Sequence, residues 1–244
     1  MSSITNVGLL ALLLCALPPT SRAETKTAKL RTVVIDAGHG GSNHGAPGLA
    51  SVDEKRVTLE LAKAVAAELS RRQITVVMTR TDDNFLTLRQ RSDIANRLDA
   101  DLFVSIHANA SRDHSRRGFE TFVLGQKGIE VDAPALRAGS GRQRPGVSEN
   151  LSRMLDDLER GLAQTKSIAL ATQVQAALAK VRPNSKDRGV KQDSMHVLLG
   201  ATMPAVLVEV GFIDHPVEGP ELSRADVQAA IAGALADAIE ISLR

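Results

Sequence analysis

The sequence predicts one three-layer α/β domain, a mostly parallel twisted sheet covered by helices on both faces. Three observations carry this reading. Strand-like and helix-like segments alternate along the chain after residue 30. The segment "LFVSIHA", Leu102–Ala108, is apolar at nearly every position rather than every second one, as in a strand covered on both faces. No internal repeat, and no linker long enough to set off a second domain, interrupts the 244 residues.

The elements follow in order. Arg31–Ile35 is a short apolar strand that runs into a glycine-rich loop, "GHGGSNHGAPG". From Glu54 to Arg71 the apolar positions Val57, Leu61, Val65 and Leu69 recur every four residues, the period of a helix. Ile74–Thr79 is rich in β-branched residues and reads as a strand, Leu86–Leu98 as a second helix, and Leu102–Ala108 and Phe119–Leu124 as strands. Gly125–Gly146 is rich in Gly, Arg, Pro and Ser without periodicity, a flexible surface loop forming an insert over 125–150. Ser148 then caps an amphipathic helix through Leu151, Leu155, Leu158 and Leu162, and a separate helix spans Ile168–Val181, ending before Pro183. Met195–Leu199 and Ala205–Val210 read as strands. Val227, Ile231, Leu235 and Ile239 mark a last helix.

Composition sets bounds on function. The chain is 43% hydrophobic with five Phe and no Trp or Tyr, so its core is built from Val, Leu, Ile and Ala. A formal charge of +2 gives no argument for nucleic acid as a partner. Residues 1–23 read as an export signal: "NVGLLALLLCALPP" is too short to span a bilayer, and "SRA" supplies small residues before a cleavage site, although the first residues carry no Lys or Arg. With that leader removed, no membrane span is expected. Cys15, the only cysteine, goes with it, leaving His, Asp and Glu as metal-binding side chains in residues 24–244.

In such sheets ligands bind at the carboxyl edge of the strands. Four polar residues fall there: His39 past the first strand, Glu54 on the buried stripe of the first helix, His107 near the end of "LFVSIHAN", and Glu209 near the end of "AVLVEVGF". Taken singly, His107 reads as a satisfied core histidine and Glu54 as a first-turn acid favoured by the helix dipole. Glu209 is harder to dismiss, because a carboxylate inside an apolar strand is expensive to bury without a partner. Two His, one carboxylate and an open water position make a catalytic zinc set, and a further carboxylate can carry the proton. The glycine loop lacks the Lys-Ser/Thr pair of a phosphate cradle.

At these residues the chain resembles the zinc-dependent N-acetylmuramoyl-L-alanine amidases, peptidoglycan hydrolases of cell division and spore lysis. The resemblance lies in "VVIDAGHGG", "DEKRVTLELA", "TRTDDNFLTLRQRSDIAN" with "ADLFVSIHANA", "DRGVKQDSMHVL" and "MPAVLVEVGFIDHPVE", in that order. It implies Zn2+ held by His39, Glu54 and His107, with Glu209 as catalytic acid/base. It also implies a 24–244 catalytic domain acting on peptidoglycan; with no separate wall-targeting segment visible in the sequence, the periplasm is expected ahead of secretion or the cell surface, with an activator protein in the envelope. Asn43-His44 replaces the family's usual Asp-Pro, and His215 its Asn, so His44 has no role assigned by the resemblance. Asp36 is expected behind a ligand, and the Ser148–Leu162 helix to restrain access through an acid such as Glu149. Arg112, Arg116, Arg117, Arg137, Arg142 and Arg144 are read either as attracting anionic wall groups or as a solvated face. The rival readings are another zinc hydrolase of the wall, a peptidase or N-deacetylase, and a non-catalytic wall-binding module.

Overall fold

The computed structural model describes residues 31–49, 52–131 and 146–244. The expected export signal and residues 132–145 of the expected loop lie outside these. Six strands form one sheet: β1 (Thr32–Ala37), β2 (Thr75–Met78), β3 (Leu102–Asn109), β4 (Phe119–Leu124), β5 (Asp187–Asp193) and β6 (Ala205–Phe212), in the order β2-β1-β3-β6-β4-β5. The first four of that order run parallel. β4 runs antiparallel to β6, and β5 parallel to β4, so the last two point the other way.

The helices are α1 (Glu54–Arg71), α2 (Leu88–Arg97), α3 (helical over the described residues 126–131), α4 (Glu149–Val181), α5 (Glu218–Leu222) and α6 (Ala225–Ser242). One face of the sheet packs under α1, α4 and α6 through Val57, Leu61, Leu170, Val174, Ile231 and Leu235. The opposite face has a thinner cover, α2 and one turn of 3-10 helix at His196–Leu198, meeting Val34, Phe103 and Leu207. Those three side chains sit near the amino ends of their strands. Because alternate residues share a face, the same face continues toward the carboxyl ends with Asp36, Ser105, His107 and Glu209. The site therefore lies on the more thinly covered face, toward the carboxyl ends of the strands.

Three expectations are corrected. The two helices expected over 148–181 are one 33-residue helix, α4; Ala163–Ser167 contain no breaker, and Gly161 alone does not stop it. Met195–Leu199 is not a strand: its buried Val197 and Leu198 plug the sheet from a 3-10 turn. The strand lies just upstream, in polar "DRGVKQD", as the edge strand beside β4. The expected loop also starts with the helical residues 126–131.

Candidate metal centre and active site

His39 follows β1 in a loop that turns back sharply. It carries φ +60°, in the left-handed region, which a non-glycine residue holds only under constraint. The constraint comes from two buried arginines of the "TRTDDNFLTLRQR" segment. Arg91 donates to the carbonyls of Ala37 (2.7 Å) and His39 (2.6 Å). Arg80 donates to those of Ala37 (2.9 Å), Gly38 (2.7 Å) and Lys55 (2.8 Å), tying the loop to α1. Lys55 closes the far side, reaching the Gly41 carbonyl (2.9 Å) and Asp83 (2.7 Å).

Glu54 opens α1 with its side chain inside, 3% exposed. Its Oε1 receives His39 Nε2 at 2.9 Å, His107 Nδ1 at 3.0 Å and the Ala108 amide at 3.1 Å; its Oε2 receives the Ala46 amide at 2.7 Å. His39, Glu54 and His107 thus converge, one donor atom from each within 4.8 Å of the others. The two imidazole rings stand edge to face, centroids 4.8 Å apart. Two glycines make the approach possible. A Cβ on Gly38 would lie 2.4 Å from the His107 ring, and one on Gly45 2.5 Å from Glu54 Oε2. Burial would raise the Glu54 carboxyl's pKa, but the two imidazoles outweigh it and hold that group well below the usual carboxylate range. For His39, burial acts downward and Glu54 overcomes it, so its pKa rises.

Glu209 stands in register with His107 on the next strand, and across β4 it faces Glu120. Its Oε2 is closed off from solvent and has no hydrogen-bond partner among the described residues. Burial, then the charges of Glu54 and Glu120, push its pKa well above the usual value. Glu120 is the residue that sequence reasoning passed over. It is buried, accepts from Asn109 (2.7 Å) and Arg188 (2.7 Å), and pairs with Lys191. Its signal was the one that marked Glu209, a carboxylate inside an apolar strand.

The four candidates therefore gather at one edge of the sheet, His107 and Glu209 from strands, His39 from the loop after β1 and Glu54 from the start of α1, and the donor set of two nitrogens and one carboxylate fits a divalent metal. His39 Nδ1 is bonded to Asn43 Oδ1 (3.0 Å), which turns the other ring nitrogen toward Glu54. Asp36 touches neither histidine; it receives Thr79, Arg91 and Ser105 and acts on His39 only through Arg91. His44 is exposed, 3.8 Å from Asp53 and outside the converging group. Glu149 is exposed as well and pairs with Arg153 of its own helix at 3.7 Å. Arg112, Arg116 and Arg117 are solvent-exposed.

A largely parallel sheet whose carboxyl edge gathers a His–Glu–His group beside a glutamate whose Oε2 is buried defines a hydrolase-type domain able to hold a metal. The family model described as N-acetylmuramoyl-L-alanine amidase matches residues 33–241, and the chain belongs to that family. In sequence it is similar to the N-acetylmuramoyl-L-alanine amidase AmiA of Salmonella typhimurium, 34% identical over 224 residues, 88% of this chain and 76% of that one. In structure it is similar to AmiC2 of Nostoc punctiforme, with 31% identity, coverage of 87% and 97% of the two chains and a TM-score of 0.67. The amidase from Clostridium difficile 630 gives 28%, 88% and 98%, and 0.69.

Proposed function

We propose that this chain hydrolyses the amide between the lactyl group of N-acetylmuramic acid and the L-alanine of the stem peptide, using zinc held by His39, Glu54 and His107. The observation that carries the reading is the meeting of those three donors at one point, with Glu209 in register beside His107 and its buried Oε2 without a hydrogen-bond partner among the described residues. Two imidazoles and one carboxylate suit zinc better than they suit Mg or Ca, which take oxygen ligands. Zinc, when bound, supplies Lewis acidity that lowers the pKa of water and polarises the scissile carbonyl. The rest falls to the chain. Arg80, Arg91 and Asn43 hold His39 in a strained conformation with one nitrogen presented. Glu209, whose surroundings raise its pKa and so make its carboxylate a stronger base, takes in that ionised form the proton of the attacking water as the new C–O bond forms. It returns that proton to the L-alanine nitrogen as the C–N bond breaks.

The same proposal includes export by a leader over residues 1–23, a periplasmic setting, and an activator protein of the envelope. No helix among the described residues is long and apolar enough to cross a membrane. The test is to incubate purified peptidoglycan with the protein, with and without a chelator, and to identify the bond cut. The expected product is new N-terminal L-alanine on intact glycan strands, lost with chelator and restored by zinc. Glu209→Ala is expected to lower kcat by about 10²–10⁴-fold. Released acetate, cleavage between stem residues, or full activity in Glu209→Ala would each overturn the reading. Cleavage that envelope extract does not accelerate would remove the activator.

A further inference from the structure

We propose that Glu120 is a positioning residue for the amidase reaction, holding Arg188 and Lys191 on the β5 side of the sheet so that neither cation pairs with Glu209. The inference rests on the role given to Glu209 above.

Glu120 and Glu209 are in register on antiparallel strands, so their Cα atoms lie about 5 Å apart and both side chains leave the same face. Like charges in that arrangement repel, and the pairing is stable only if something compensates. The least demanding solution is a cation shared between the two carboxylates. The structure uses a different one. Every compensating contact falls on Glu120: Asn109 on Oε1, Arg188 and Lys191 on Oε2. Among the described residues no such contact falls on Glu209, and its Oε2 is left unbonded. Aromatic faces also hold the cations, Arg188 over Phe212 of β6 at 5.2 Å and Lys191 over Phe122 of β4 at 5.7 Å. A base that must take a proton from water is of little use inside an ion pair. Without Glu120, the flexible Lys191 would find Glu209 as the neighbouring carboxylate across the β4–β6 pairing.

The experiment compares Glu120→Gln, Lys191→Met and the double variant, all zinc-loaded, for kcat, KM, zinc content and Tm. Glu120→Gln is expected to lose about tenfold or more in kcat, with KM and zinc content retained. Adding Lys191→Met is expected to return kcat to within about threefold of Lys191→Met alone. A purely structural tie predicts no recovery, since Lys191→Met restores neither ion pair that Glu120→Gln removes and also takes away the Lys191 contact with Phe122. A crystal structure of zinc-free Glu120→Gln gives a readout independent of turnover: the Lys191 ammonium is expected on the Glu209 carboxylate. Wild-type kcat in Glu120→Gln, no recovery in the double variant, or Lys191 left off Glu209 in that crystal would each overturn the inference. If the wild type cuts no muramoyl amide, the functional reading fails instead, and the crystal structure still decides the position of Lys191.

Discussion

The β1–α1 side of the site and the β6 side are built on opposite principles. On the first, every functional side chain is braced. Glu54 takes four hydrogen bonds, His39 is fixed at its second nitrogen and its carbonyl, and Asp36 saturates the arginine behind them. On the second, Glu209 has its Oε2 buried and unbonded, and the adjacent polar groups are committed to Glu120. Ligands must be held in one geometry before metal arrives, so rigidity serves them. A proton carrier must exchange partners, so hydrogen bonds that fix it would work against it. The contrast makes the braced side sensitive in stability and metal affinity, and the free side sensitive in chemistry.

The strongest way to break this comparison is Asp36→Ala. Asp36 and Arg91 form a fully buried ion pair at 2.8 Å, and removing one partner leaves the guanidinium uncompensated. A loss of about 3–5 kcal/mol in unfolding free energy is expected, measured by urea denaturation of the zinc-free protein. Retained stability would mean that the arginine bracing of the His39 loop is not what holds that side together. A smaller effect on the same side is expected for Asn43→Ala, which frees His39 Nδ1. The fold should be unchanged, and zinc affinity in a competition titration with a chelator should fall about 10–100-fold. An unaltered affinity would show that Arg91 at the His39 carbonyl is sufficient to orient the ring.

The same contrast explains what the sequence disclosed. Glu209 and His107 were legible because a polar side chain breaks an apolar strand, and Glu54 because it sits on the buried stripe of a periodic helix. The central strands and α1, α2 and α6 follow from patterning, since each buries one or both faces. Of the two edge strands, β2 was legible from its β-branched residues and β5 was not. β5 is bonded on one side only and carries Asp, Arg, Lys and Gln, so it has no apolar alternation to detect. The buried pair Val197 and Leu198 imitates a strand for the same local reason, because a short apolar run does not specify its backbone. Arg80 and Arg91 lay within a recognised segment, but their role is to bond backbone carbonyls, and nothing in residue spacing announces that. Glu120 carried the right signal; what concealed it was its neighbour's ordinary strand pattern, and only the register with Glu209 gives it meaning.

The least disruptive change sharpens the comparison from the free side. In the zinc-free protein, burial and the charges of Glu54 and Glu120 raise the pKa of the Glu209 carboxyl above its ordinary value of 4.5. The folded state therefore holds this proton more tightly than the unfolded chain does. Below pH 4.5 the group is protonated in both states and has no effect on stability. As pH rises through the ordinary value toward the folded one, the unfolded chain ionises first, and wild-type stability falls. Glu209→Gln keeps the shape and removes the titration. It is expected to melt above the wild type at pH 7, by less than either preceding variant changes the protein, and the gap should close on acidification to below pH 4.5. A Tm difference that stays constant across this range would assign it to packing instead of charge. A lower Tm for Glu209→Gln at neutral pH would mean that the Glu209 carboxylate does have a compensating partner, and that the two sides of the site are braced alike.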